Sequence, residues 1–191
     1  STTGRSRCWR AAASTAADAS ALLILPTSTV PTNVRAGSAL RPASATTTPA
    51  SAVPYVRPDP RRALEARAAI DRAAGAACRI GIAWSGAPDN TNNAKRSVPL
   101  AVFTPLLDEP ATRWFSLKWD ADPPGPADAA VATRLVALPQ RNDFDGLAAL
   151  ISELDLVITV DTSIAHLAGA MGKPVWVLLH HAPDWRWMLE R

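Results

Sequence analysis

The sequence predicts an α/β protein whose main part, residues 78–191, is an open, doubly wound, mostly parallel sheet of the Rossmann-like kind. Short apolar runs alternate there with stretches of helical spacing, which is the pattern of successive βαβ units. The run DLVITV at residues 155–160 is apolar almost throughout, as expected of a strand buried on both faces of a parallel sheet. Gly172 closes the next helical stretch just before Pro174, so the chain re-enters the sheet at a defined point.

Two segments precede this sheet. Residues 1–52 are rich in Ser, Thr, Pro and Ala without a sustained hydrophobic period, and Asp18 is the single carboxylate among the first 58 residues. This composition is typical of low-complexity, disordered sequence, and a transit peptide is the alternative, although its helical periodicity is absent. Residues 53–77 predict a linker followed by a helix that stops at Gly75.

The elements of the main part follow from short patterns. Five apolar runs predict strands, at residues 79–84, 113–119, 134–139, 155–160 and 174–179. Four stretches predict helices, which begin near Pro99, cover residues 143–154 and 163–172, and begin again near Pro183.

Right-handed crossovers place the carboxyl ends of parallel strands along one edge, and sheets of this class bind their ligands there. We therefore expect the chemistry of the protein in the loops at this edge. Those loops are residues 85–97, 119–127, 139–143, 161–163 and 180–184.

The loop after the fourth predicted strand is the first candidate anion site. Its strand ends at Asp161, and Thr162 and Ser163 open a helix with His166 one turn further on. A helix start offers a capping side chain, free backbone N–H groups and the positive end of the helix dipole, and the two hydroxyls can bind phosphate oxygens. The alternative is structural: Asp161 caps the helix and His166 packs within the core.

The loop after the first predicted strand is the second candidate. Ser85 and Gly86 follow the strand directly, so a ligand can approach the backbone closely. Lys95 and Arg96 stand before the next helix and can neutralise a phosphate. Long polar loops also carry charges that are merely solvated, which is the alternative here.

Composition and missing motifs exclude several classes of function. The net charge is +3 with scattered arginines, so a nucleic-acid partner has little support. Two distant cysteines give neither a disulfide framework nor a zinc signature, and we expect a cytoplasmic protein. No apolar run reaches the roughly 20 residues of a membrane span. The chain also lacks a GxGxxG fingerprint, a P-loop and a GxSxG serine elbow.

A metal site is not expected. His180, His181 and Asp184 lie close together in sequence, but His166 is the one other well-spaced ligand that the chain offers. Trp185 and Trp187 are expected to pack against the sheet or to cover a ligand.

Three segments resemble a known family. They are GIAWSGAP with NAKRSVPLAVFTPLL, then DFDGLAALISELDLVITVDTSIAHLAGAMGKPVWVLL, and finally APDWRWMLER. They look like the C-terminal glycosyltransferase-like region of bacterial tetratricopeptide-repeat proteins. That region is related to the heptosyltransferases of glycosyltransferase family 9 and, more distantly, to O-GlcNAc transferases. The resemblance runs from about Val53 to Arg191, and its most specific block is DTSIAHLAGAMGKP.

The resemblance implies a GT-B fold, in which two Rossmann-like domains face each other across a cleft and the C-terminal one holds a nucleotide-sugar donor. It implies that the donor diphosphate is bound by Asp161, Thr162, Ser163, His166 and a basic residue, Lys95 or Arg96. Arg96 is favoured because its distance to Pro99 fits the family pattern better. Ser85, Gly86 and Asp184 would line the cleft.

The implied reaction is glycosyl transfer from a nucleoside-diphosphate sugar, with no cofactor and no obligatory metal. The acceptor would be a protein or a glycan. Family members carry an N-terminal Rossmann domain and helical repeats before this region and further elements after it, so the resemblance leads us to expect a donor-binding domain that is incomplete and inactive alone.

Two other functions fit the sequence. The first is a non-catalytic, Rossmann-like interaction or remnant module that keeps the fold without turnover. The second is a nucleotide-sugar epimerase with the same two-domain architecture, which fits less well because its acidic and basic site residues are not apparent.

Overall fold

A computed structural model of the chain describes residues 54–118, 125–138, 143–180 and Trp187, together with the backbone of residues 24–27. The strands are β1 (Ile24–Thr27), β2 (Cys78–Ala83), β3 (Thr112–Ser116), β4 (Leu156–Val160) and β5 (Val175–Leu178). The α-helices are α1 (Pro60–Ala74), α2 (Asn93–Arg96), α3 (Thr104–Leu107), α4 (Pro126–Ala132), α5 (Phe144–Ser152) and α6 (Ser163–Ala170). A 3₁₀ helix, Leu100–Phe103, precedes α3.

The five strands form one sheet in the order β1-β5-β4-β2-β3. The pairs β2–β3, β2–β4 and β4–β5 are parallel, while β1 runs antiparallel to β5. The chain therefore starts its parallel sheet at a central strand, builds outward to β3, and then crosses to the other side to add β4 and β5. This is the doubly wound arrangement that the sequence predicts, and the fold class is confirmed.

Helices cover both faces of the sheet. On one face, α1, α5 and α6 pack against side chains such as Phe115, Val157 and Val177. On the other face, the 3₁₀ helix, α3 and α4 pack against side chains such as Ile82 and Ile158. All five residues of β4 are buried, in agreement with the apolar run that predicts a central strand.

The predicted strand at residues 134–139 is wrong. The structure has a single bridge there, between Phe115 and Val136, at the outer edge of β3. The backbone N–H groups of Arg134 and Leu135 donate to the carbonyls of Val131 and Ala132. The first residues of the apolar run therefore belong to the turn that ends α4. Only Val136 then lies extended beside β3.

The helix predicted near Pro99 is present but is not continuous. It begins as the 3₁₀ turn Leu100–Phe103 and becomes α-helical only over Thr104–Leu107. Pro105 explains the break, because it has no N–H for an α-helical bond and its ring clashes with the carbonyl four residues earlier.

The N-terminal region contains a strand that the sequence does not predict. β1 pairs with β5 at the edge of the sheet, with Pro26 opposite Trp176. A proline is tolerated at an edge because the N–H it lacks is not needed on the solvent side. The other residues before Pro54 lie outside the described part of the chain, and the division at residues 52 and 77 stays a prediction. No helix in the described ranges is long and apolar enough to cross a bilayer.

Candidate functional site

The candidate site is the crevice between the carboxyl ends of β2 and β4. These strands are neighbours, with Ala83 opposite Thr159. After β2 the chain turns to the face of the 3₁₀ helix, whereas after β4 it enters α6 on the other face. Because the two connections diverge, this is the switch point of the sheet, and doubly wound sheets bind ligands in the crevice at such a point. Two of the predicted loops, residues 85–97 and 161–163, meet here.

Arg96 joins the two loops. It ends the four-residue helix α2, and its Nη1 donates a hydrogen bond of 2.9 Å to the backbone carbonyl of Asp161, 65 residues away in sequence. Its Nε is buried without a hydrogen-bond partner. Lys95, the other basic residue that the sequence singles out, is exposed on α2. Of the two cations, the structure brings Arg96 to the crevice.

Gly86 lies against Arg96. Its N–H donates to Asn93 Oδ1 at 2.8 Å, which fixes the loop on α2. A Cβ at this position would lie 3.0 Å from both Arg96 Nη2 and Asn93 Oδ1, so the absence of a side chain lets the guanidinium approach. The hydroxyl of the neighbouring Ser85 is buried and has no hydrogen-bond partner.

The start of α6 differs in detail from the prediction. Thr162, and not Asp161, is the N-cap residue, and its side chain makes no capping hydrogen bond. Its Oγ1 lies 3.0 Å from Oγ1 of Thr159, which itself lies within hydrogen-bonding distance of the Val160 carbonyl. Thr159 has one hydroxyl proton, so when Thr159 donates it to Val160, Thr162 is the donor to Thr159. The hydroxyl proton of Thr162 is then engaged in this hydrogen bond within the protein.

Ser163 and His166 lie on the outer side of α6. Both are exposed, and three residues separate them, so they occupy the same side of the helix one turn apart. The alternative in which His166 packs within the core is therefore wrong. The imidazole stacks on the indole of Trp187, with ring centroids 5.4 Å apart and an angle of 16° between the planes. Trp187 packs against the core, as expected from the sequence.

Lys118 is a cation at the same sheet edge that the sequence analysis does not identify. It follows β3, and its Nζ lies 5.1 Å from the ring centre of Trp84, the buried residue that follows β2. The parallel register pairs Ile82 with Ser116, and Trp84 and Lys118 each follow two residues later. The available sequence signal was a lysine near the carboxyl end of the strand predicted at residues 113–119, at the edge where ligands bind.

Three described side chains contain a buried polar atom without a hydrogen-bond partner. They are Oγ of Ser85, Nε of Arg96 and Nε1 of Trp187. Ser85 and Arg96 lie beside the crevice, and Trp187 stacks on the residue one turn into α6. The Ser85 and Arg96 atoms can both donate a hydrogen bond at the crevice, so this arrangement suits a ligand rich in acceptor oxygens.

Two further expectations concern the last predicted loop. His181 and Asp184 lie outside the described residues. Within the described ranges, no group of three or more His, Cys, Asp or Glu side chains is arranged to hold a metal ion.

Part of the chain matches a known family. Residues 126–182, which include α5, β4, α6 and β5, match glycosyltransferase family 9 (heptosyltransferase). Protein FlbA of Caulobacter vibrioides is 26% identical over 134 residues, an alignment that covers 65% of this chain. The chain spans 22% of the length of FlbA. No solved structure gives a significant match. The narrower likeness to tetratricopeptide-repeat proteins and O-GlcNAc transferases stays a prediction, whereas the match over residues 126–182 is to a family of glycosyltransferases.

Proposed function

We propose that the domain binds the diphosphate of a nucleoside-diphosphate sugar in the crevice between β2 and β4, as the donor-binding part of a glycosyltransferase. The observation that carries this proposal is the buried Nε of Arg96, which has no partner although its Nη1 is bonded to the loop before α6. A buried donor without a partner costs about 1–3 kcal/mol, so a native site that keeps one is suited to an acceptor supplied by a ligand.

A diphosphate satisfies the chemistry of this crevice. Its negative charge is attracted to the guanidinium of Arg96 and to the positive end of the α6 dipole. Its oxygens can accept hydrogen bonds from Arg96 Nε, Ser85 Oγ and the free N–H groups at the start of α6. Asp161 contributes through its backbone, because its carbonyl orients Arg96. Ser163 and His166 are the exposed side chains one turn apart that can reach the same ligand.

The same groups would assist the transfer reaction. When the bond between sugar and diphosphate breaks, negative charge grows on the departing diphosphate, and fixed donors and cations stabilise that charge. The donor is a substrate, and the proposal needs no further cofactor. The acceptor, a protein or a glycan, would be held elsewhere in the complete enzyme, because transfer requires both reactants in attack geometry.

Calorimetric titration tests the proposal with a matched pair of variants. We expect the wild-type chain to bind at least one of UDP, GDP or ADP, and to bind the corresponding monophosphate more weakly. Arg96→Gln should weaken diphosphate binding by about 10- to 100-fold, the value of a charge-assisted hydrogen bond. Lys95→Gln removes the same charge from the adjacent, exposed position and should change the affinity by less than about twofold.

Two outcomes would contradict the proposal. If the wild-type chain binds none of the three diphosphates or their sugar derivatives, the non-catalytic interaction module becomes the better interpretation. If Arg96→Gln and Lys95→Gln weaken binding equally, the effect is one of general charge, and the crevice is not the site.

A further inference from the structure

The imidazole of His166 is held by a neighbouring side chain and not by its own helix. His166 is the fourth residue of α6 and is exposed to solvent. An exposed side chain ordinarily exchanges between rotamers on the picosecond-to-nanosecond timescale. A contact that fixes one orientation therefore changes what this residue can do, because a ligand no longer has to order it.

Trp187 supplies that contact. Its ring lies nearly parallel to the imidazole, with 5.4 Å between the ring centres and 16° between the planes. Trp187 is half-buried and packs against the core cluster that contains α1, α5 and α6, so it forms a firm support. Stacking of two rings in this way contributes beyond the burial of apolar area.

The location of the stack connects it to the crevice. His166 lies one helical turn beyond Ser163 and four residues beyond Thr162, the N-cap residue of α6. Residues three and four apart are neighbours on a helix surface. The imidazole of His166 is thus near the first turn of α6, where the proposed diphosphate binds.

We propose that Trp187 is a positioning residue, which orients the imidazole of His166 toward a diphosphate bound at the start of α6. This inference rests on the proposed function. Trp187 does not contact the phosphates. It lowers the cost of ordering His166, so its removal weakens binding only as long as His166 is present.

A double-mutant cycle tests this role, with the affinity for the tightest-binding of UDP, GDP and ADP as the readout. The four proteins are the wild type, Trp187→Leu, His166→Ala and the double variant. We expect Trp187→Leu to weaken binding about fivefold, as expected for the loss of an aromatic stacking contact. In the His166→Ala background the same substitution should have no effect, because coupled residues give non-additive changes.

Trp187→Phe is the rescue variant. It keeps an aromatic ring against the imidazole and should bind within about twofold of the wild type. The NMR resonances of the His166 ring protons report the stack without any ligand. They should carry the ring-current shift in the wild type and in Trp187→Phe, and lose it in Trp187→Leu.

The outcomes separate this inference from the proposed function. If Trp187→Leu weakens binding equally with and without His166, Trp187 acts by another route and the positioning role is wrong. The role is also wrong if the ring-current shift is lost and the affinity is unchanged. If the wild-type chain binds no diphosphate at all, the proposed function fails first and this inference fails with it.

Discussion

The α1–α5 surface and the crevice use arginine in opposite ways. On the α1–α5 surface, Arg62 pairs with Asp143 and Asp145, and Arg67 Nε lies 2.9 Å from Glu153 Oε2. In the crevice, Arg96 bonds to a backbone carbonyl, its Nε has no partner, and no carboxylate among the described residues pairs with it. One region neutralises its cations with carboxylates, and the other keeps a cation that no carboxylate neutralises.

This difference follows from what each region has to do. Exposed ion pairs of this kind contribute little to stability. A guanidinium whose Nε is buried and unpaired is instead unfavourable for folding and favourable for binding an anion. Among the described residues, the candidate site thus keeps buried polar atoms unsatisfied, whereas the α1–α5 surface pairs its charged groups.

Hydrogen bonds to other parts of the chain hold α6, the helix that begins at the crevice, at both ends. At its start, Arg96 holds the carbonyl of Asp161. At its end, the backbone N–H groups of Tyr55 and Val56 donate to the carbonyl of Ala170. The ammonium of Lys173, just beyond α6, donates hydrogen bonds to the carbonyls of Ser152, the last residue of α5, and of Leu154. A site built on fixed elements loses less entropy when its ligand binds.

The largest effect that we predict is in the packed region, at Gly81 in β2. A Cβ there would lie 2.5 Å from Leu154 Cδ1 and 2.7 Å from Leu117 Cδ1, and both leucines are buried. Gly81→Ala should lower the free energy of unfolding by about 1–3 kcal/mol, because added volume in a close-packed core forces side chains off their rotamers. Urea denaturation measures this change.

Gly169→Ala is the control for Gly81→Ala. Gly169 lies within α6, and a Cβ there meets no atom within 4 Å. This substitution should raise the free energy of unfolding by about 0.5–1 kcal/mol through helix propensity. Equal stability of Gly81→Ala and the wild type would show that the core around β2 is less tightly packed than the structure indicates.

Gly86→Ala should have an effect of intermediate size, and this effect should be on diphosphate binding. Its methyl group would press on Arg96 Nη2 and Asn93 Oδ1, both 3.0 Å away. Displacing the guanidinium should weaken diphosphate binding by about fivefold, roughly 1 kcal/mol, with a smaller change in the free energy of unfolding than Gly81→Ala gives. Gly125→Ala is the matched control, because its Cβ would meet no atom within 4 Å. An unchanged diphosphate affinity in Gly86→Ala would mean that Arg96 is not part of the binding site.

The sequence predicted the parallel strands well, for a physical reason. β2, β4 and β5 are buried on both faces, so they appear as continuous apolar runs with glycine, proline or polar residues beside them. The predicted strand at residues 134–139 failed because an apolar run at the edge of a sheet looks the same whether it pairs over its full length or at one residue. β1 was missed because four residues in a low-complexity region carry no periodic signal.

The sequence predicted where the candidate site lies but not the side-chain contacts that form it. The loops after β2 and β4 could be assigned to one edge from topology alone. The contact of Arg96 with Asp161, the stack of His166 on Trp187 and the position of Lys118 over Trp84 join distant parts of the chain or depend on side-chain packing. No local pattern encodes such contacts, so the choice of Arg96 over Lys95 from the sequence rested on family resemblance.

The smallest predicted effect concerns the ion pairs on the α1–α5 surface. The hydrogen bond from Arg62, and then that from the Gly146 N–H, hold the pKa of Asp143 below its ordinary value. A lowered pKa in the folded state contributes stability above the ordinary pKa of about 3.9, and this contribution disappears as the pH falls through the folded value. We therefore expect the wild-type free energy of unfolding to fall more steeply below about pH 4 than that of Asp143→Asn.

Asparagine makes this a test of charge alone. Asp143 also caps α5 by accepting the Gly146 N–H at 2.8 Å, and an asparagine can keep that cap. Both side chains of the pair are nearly half exposed, at 45% and 48%, so about 1 M salt should reduce the difference in slope. Diphosphate affinity at neutral pH should be the same in both proteins, because the crevice uses Arg96 and not this pair. An equal pH slope in the two proteins would mean that Asp143 gains nothing from Arg62 in solution, and a lower diphosphate affinity in the variant would mean that the two regions are not independent.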